Sequence, residues 1–271
     1  MRRSLYVALV LNLFCATGIS GPCAGATPDT VYLEDMTWVE VRDALGHGKT
    51  VAIVPTGGVE QNGPHMILGK HDYIVRVTAG RIARALGNAL VTPVVAFVPE
   101  GSIAPPSGHM AYPGTISVPD KVFEGILEYT ARSLKAHGFK AIVFIGDSGG
   151  NQKPQARVAR KLSAEWAREG VKVLQAGDYY AANGQFGWLL SQGETPKSIG
   201  KHAGIRDTSE LLAVHPQGVR RDRIPHSGSN KGIRTGVSGD PARASAERGE
   251  TLLRLKVETA VRQIKKALGR S

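Results

Sequence analysis

Cysteine is almost missing. The 271 residues contain two, Cys15 and Cys23, and both fall in an N-terminal segment that reads as a removable leader. Arg2-Arg3 is followed by the apolar run LYVALVLNLFCATGI and then by small residues ending in AGA at Ala24 to Ala26. A charged start, a short apolar stretch and an A-x-A site form the pattern of a secretory signal peptide. The run is too short to span a bilayer comfortably. The paired arginines are only a weak twin-arginine mark, and Pro22 before Cys23 argues against a lipoprotein. Cleavage after Ala26 leaves residues 27–271 with no thiol. That excludes a cysteine nucleophile, a thiolate metal site and a disulfide framework. The product is expected in the periplasm or secreted.

Other scarcities narrow the class further. No second apolar run is long enough to cross a membrane, so a soluble product is expected after cleavage. Aromatic residues make up 6% of the chain and do not interleave with its basic residues. Nucleic acid is therefore excluded as a partner for an exported chain, despite a formal net charge of +11. Acidic residues are few: without the leader, 32 Lys and Arg face 23 Asp and Glu. The surplus concentrates in the loop GVRRDRIPHSGSNKGIRTG (Gly218 to Gly236) and in the last helix, LLRLKVETAVRQIKKALGR. Either these are solvated basic faces or they meet an anionic substrate or envelope surface. Repeats, low-complexity linkers and breaks in composition are also absent, which implies one domain over residues 27–271.

What is present is an alternation of apolar runs and amphipathic stretches. TVAIVPTGG (50–58), ALVTPVVAFVPEG (89–101), FKAIVFIG (139–146) and VKVLQAG (171–177) read as strands. Between them, YIVRVTAGRIARALG, PDKVFEGILEYTARSLKAHG and PQARVARKLSAEWAREG carry helical spacing, and a final helix is expected from about Pro241 to Leu268. Such alternation implies β-α-β units and a three-layer α/β/α sandwich with a mainly parallel sheet. Ligands of such sheets bind beyond the carboxyl ends of the strands. TGGVEQNGPHMILGKHD and GDSGGNQ fall there, and they hold the densest titratable residues.

GDSGG spells the nucleophile motif of trypsin-like serine proteases, but the chain has no matching histidine segment and is not all-β. Five other stretches, in order, resemble the creatininase family of metal-dependent amidohydrolases. VAIVPTGGVEQNGPHMILGKHD resembles the family's P-x-G-S-x-E-Q-H-G-P-H-L-P-L-G-T-D. GHMAYPGTISV resembles E-H-x-x-F-P-G-T, and GDSGGN takes the place of N-G-H-G-G-N. HAGIRDTSELLAVHP resembles H-A-G-E-x-E-T-S-x-x-L-x-x-x-P, and GVSGDPARASAERGE resembles G-V-x-G-D-P-x-x-A-T-x-E-x-G. The resemblance implies a creatininase-like α/β/α domain, one or two metal ions, hydrolysis of a C–N bond in a small-molecule amide, and a homo-oligomer.

The departures fall on the ligands that the resemblance implies. Glu60 is kept. Asn62 and Ser148 stand where histidines belong, His71 falls at the spacing of an aspartate, and Asp207 replaces a glutamate. Asn and Ser are poor ligands for zinc or manganese, whereas His, Asp and Glu are good ones. The expected metal set is therefore Glu60, His71, Asp147 and Asp207, for Zn or Mn. His202 and Asp147 are the expected proton carriers, with His65, His109, Tyr112, Gly149 and Gly150 lining the pocket. Two rival readings stay open: a metal-free hydrolase using Ser148, and an inactive periplasmic binding protein.

Overall fold

Val51–Thr56 (β1) is buried along its whole length, as expected of a strand covered on both faces. It pairs in parallel with Ala89–Val91 (β2) on one side and with Ala141–Gly146 (β3) on the other. Lys172–Gln175 (β4) adds to β3, also in parallel, which gives the order β2-β1-β3-β4. These relations come from a computed structural model that describes residues 29–225 and 235–269. The expected leader, residues 1–26, and part of the basic loop, residues 226–234, lie outside the described residues.

The helices are Trp38–Gly46 (α1), Lys70–Leu86 (α2), Asp120–Ala136 (α3), Gln152–Glu165 (α4), Asp178–Ala181 (α5), Gln185–Ser191 (α6), Pro196–Ile199 (α7), Ile205–Val214 (α8) and Ala246–Leu268 (α9). Successive strand residues point to opposite faces of the sheet, and the two cores divide accordingly. Ala52, Val54, Ile142 and Phe144 pack with Phe123 and Leu127 of α3 and Val158 and Leu162 of α4. Val51, Ile53, Val143 and Ile145 pack with Val75 and Ile82 of α2 and Ala260 and Ile264 of α9. This is the expected three-layer α/β/α sandwich. No helix among the described residues is long and apolar enough to cross a membrane.

Two boundaries differ from the expected ones. The second strand stops at Val91, because Pro93 has no N–H to give a ladder; beyond it the chain keeps the Thr92 N–H to Ile53 carbonyl bond and a bridge from Thr56 to Val95. The last helix starts at Ala246, where Ser245 caps it by accepting a hydrogen bond from the Arg248 N–H. Pro241–Arg243 forms a separate 3-10 turn.

Candidate functional site

β1 and β3 end side by side, with Thr56 opposite Gly146, so the loops that follow them meet. Asn151 fastens the junction, its side-chain amide donating to Thr56 Oγ1 at 2.6 Å and to the Gly57 carbonyl at 2.9 Å. The loop after β1 folds around Asn62. Its Nδ2 donates to the carbonyls of Glu60, Ile67 and Leu68 at 2.9, 3.2 and 3.3 Å. A residue that stands where the resemblance expects a histidine thus serves as an internal staple. The loop then enters α2, whose first turn carries Lys70 and His71 into the interior.

There they meet Glu60, and a network of ion pairs results. His71 bridges two carboxylates, with Nε2 2.8 Å from Glu60 Oε1 and Nδ1 2.7 Å from Asp147 Oδ2. Burial and the Lys70 charge both push the imidazole down, but the two carboxylates outweigh them and raise it to about 9. Burial alone would raise Glu60; the charge and hydrogen bond of His71, with Lys70, hold it well below the usual carboxylate range. Lys70 Nζ lies 3.3 Å from Asp207 Oδ2 and 3.9 Å from Glu60 Oε1. The other Asp147 oxygen receives Lys256 Nζ of α9 at 2.7 Å and the Tyr179 hydroxyl of α5 at 3.0 Å. Lys256 also reaches Glu210 of α8 at 3.0 Å. Both Asp147 oxygens are therefore engaged by groups of the chain.

Asp207 lies in the first turn of α8 and accepts from the Ala203 N–H at 2.6 Å. Glu100 borders the same cavity. Burial and then the neighbouring Glu60 charge raise it to about 9, so it is protonated at neutral pH. Ser148 Oγ donates to Glu100 Oε2 at 3.2 Å. Among the described residues the serine is thus paired with an acid and not with an imidazole.

One arrangement that could hold a cation shares only Glu60 with the expected set of Glu60, His71, Asp147 and Asp207. Glu60, His109 and His202 offer ligand atoms that all lie within 4.8 Å of one another. His109 Nε2 is 3.2 Å from Glu60 Oε2, and His202 Nδ1 is 3.7 Å from Glu60 Oε1. His202 Nε2 faces the Gln61 carbonyl at 2.9 Å; that contact requires the proton on Nε2 and leaves the Nδ1 lone pair toward Glu60. Burial lowers both His109 and His202, which keeps the rings neutral as ligands must be. Two imidazoles and a carboxylate suit one Zn or Mn ion with an open position. His71, Asp147 and Asp207 lie beside this trio, and His71 and Lys70 link them to Glu60 through ion pairs.

The cavity occupies about 350 Å³, and its lining includes Glu60, Lys70, His71, Glu100, His109, Asp147 and His202. Gly149 and Gly150 form part of its wall. A Cβ at Gly150 would lie 1.9 Å from the Pro99 carbonyl oxygen, so only glycine fits there. His65 is buried behind the cavity with Nε2 3.0 Å from Thr208 Oγ1, and burial lowers it to about 4. Tyr112 caps the 3-10 turn Gly108–Ala111 that carries His109.

Lys70, Glu100, Tyr179, Glu210 and Lys256 were not singled out from the sequence. For Lys70 a signal existed, since it replaces a neutral residue inside GKHD. Lys256 had none, because it sits among the lysines and arginines of a helix that reads as a basic face.

Comparisons with known proteins show the family and the fold. The family model described as creatininase, creatinine amidohydrolase, matches residues 34–264. The chain is 27% identical over 236 residues to the mycofactocin precursor peptide peptidase of Mycolicibacterium smegmatis, covering 80% of this chain and 85% of that one. It is 25% identical over 247 residues to the creatinine amidohydrolase of Pseudomonas putida, covering 84% and 94%. A solved structure described as creatininase with Mn superposes with a TM-score of 0.71 at 23% identity, covering 88% of this chain and 98% of that one. With the family match spanning the sheet, both helical layers and every side chain of the cavity, the chain is a hydrolase of the creatininase family.

Proposed function

We propose that the chain is an exported hydrolase that cleaves the C–N bond of an amide or cyclic amide with the help of one divalent metal ion. The observation that carries this reading is the convergence of Glu60, His109 and His202 on one cavity at the ends of β1 and β3. The two relatives named above act, by their names, on creatinine and on a precursor peptide, and both names fit an amide substrate. Export rests on the leader pattern of residues 2–26.

An ion held by Glu60, His109 and His202 would polarise a carbonyl and lower the pKa of water from about 15.7 to about 7. The chain's own groups do the remainder. The Gln61 carbonyl fixes the His202 ring by accepting from Nε2. Gly149 and Gly150 line the cavity, and backbone N–H groups at such a position suit a carbonyl oxygen that gains charge. Glu100 holds a proton at neutral pH and can pass it to the departing nitrogen. His71, Lys70 and Lys256 neutralise Glu60, Asp207 and Asp147, so the floor of the cavity stays fixed in charge.

Purified protein incubated with a panel of small amides and cyclic amides, with Zn or Mn added, tests the reading. Hydrolysis should appear with the wild type, vanish with Glu60→Gln and persist with Ser148→Ala. Loss of activity in Ser148→Ala beside an active Glu60→Gln would replace this reading with a serine mechanism.

A further inference from the structure

The cavity contains more positive groups than its own acids use. Glu60 is matched by His71 at 2.8 Å, Asp207 by Lys70 at 3.3 Å, and Asp147 by Lys256 and His71, each at 2.7 Å. Glu210, behind the wall, is matched by Lys256 at 3.0 Å. Arg206 and Lys201 line the same cavity. Neither makes an ion pair or a side-chain hydrogen bond with any described residue. Lys201 is exposed at the rim, but Arg206 is only partly exposed, in the first turn of α8. The charges of Asp207, Glu210 and Asp147 act on the Arg206 guanidinium and offset its burial, but none of these acids gives its N–H groups a hydrogen bond. Its planar fork of five N–H donors matches the two oxygens of a carboxylate.

We propose that Arg206, assisted by Lys201, anchors a carboxylate of the substrate. On the reading of the cavity given above, the substrates are amides that carry a carboxylate close to the scissile bond, as N-acyl amino acids and peptide C-termini do. Three features converge on this assignment. The donors face the cavity that contains Glu60, His109 and His202. The acids that could otherwise engage them already have partners. Arg206 and Lys201 line this cavity together with His202.

The test compares N-acetyl amino acids with their C-terminal amides. Glycine, leucine, phenylalanine and aspartate derivatives are titrated into wild-type protein and Arg206→Gln by calorimetry, and hydrolysis of the same compounds is followed separately. The acids should bind wild type at least tenfold more tightly than the amides. Arg206→Gln should remove that preference while leaving amide binding within about twofold. Lys201→Gln should reduce the preference less and weaken its dependence on salt. Equal binding of acids and amides to wild type overturns the proposal, as does failure of every acid to bind; neither result requires the variant to fold. Hydrolysis of neutral amides with no preference for acids refutes the anchor and leaves the hydrolase reading intact. A preference for acids in binding with no hydrolysis of any compound refutes the hydrolase reading and leaves the anchor.

Discussion

At the scale of single residues, the cavity is governed by charges that the chain has placed against each other. Glu100 shows what this does. A glutamate with its ordinary pKa of 4.5 would be ionised at neutral pH, yet burial and the neighbouring Glu60 charge let Glu100 keep its proton up to about 9. Glutamine at this position retains a donor of the same shape but has no proton to transfer. Glu100→Gln should therefore fold as wild type does and hydrolyse substrate at least about 100-fold more slowly; an unchanged kcat would remove Glu100 from the proton path. The same groups set a pH dependence of stability. His71 is raised from 6.5 to about 9, so its contribution is complete below 6.5 and is lost as the pH rises through 9. Glu100, raised from 4.5 to about 9, acts with the same sign over that interval. Urea unfolding of the metal-free protein should show stability falling between pH 6.5 and 9, by roughly 3 kcal/mol from the His71 cluster. Glu100→Gln should make the slope shallower. A flat profile would mean that His71 is neutral in the folded protein.

At the scale of elements, the site depends on helices that the strand-end rule does not mention. β1 and β3 deliver Glu60 and Asp147, and both were recognisable because apolar strands end in polar, glycine-rich loops. α2 delivers the counter-charges Lys70 and His71 and α9 delivers Lys256. α9 packs on α8 so closely that a Cβ on Gly249 would lie 1.9 Å from the Ser209 carbonyl oxygen. Lys256 is buried at their contact, 4.9 Å from the centre of the Tyr179 ring. In sequence it is one of several basic residues in the last helix, and helical spacing alone does not tell the single inward lysine from its solvated neighbours. Lys256→Met would leave Asp147 and Glu210 buried without their cation. It should destabilise the protein by about 3–5 kcal/mol, and adding Glu210→Gln should recover part of that loss. If thermal unfolding of Lys256→Met matches wild type, the buried pairing does not support the wall of the cavity.

At the scale of the whole molecule, the layer order and parallel sheet were legible because strands and helices alternate with clear periods. The division of labour among the acids was not. Glu60, His71, Asp147 and Asp207 do come together, yet which of them faces a ligand and which faces a lysine depends on residues far away in sequence, 109 positions from Asp147 to Lys256 and 137 from Asp207 to Lys70. No local pattern contains that information. Export is the other property of the whole chain, and it has a direct check. Protein expressed with its leader should be recovered from the periplasm or medium with an intact mass beginning at Thr27, and cytoplasmic protein retaining Met1 would contradict it. The central claim is that one cation site is assembled from Glu60, His109 and His202. Titration of Zn or Mn into metal-free protein, read by calorimetry and by metal content after gel filtration, tests it most directly. The account predicts one ion per chain for the wild type and a large loss of affinity in His202→Ala and Glu60→Gln. No bound ion in the wild type, or one ion retained unchanged in both variants, would contradict it.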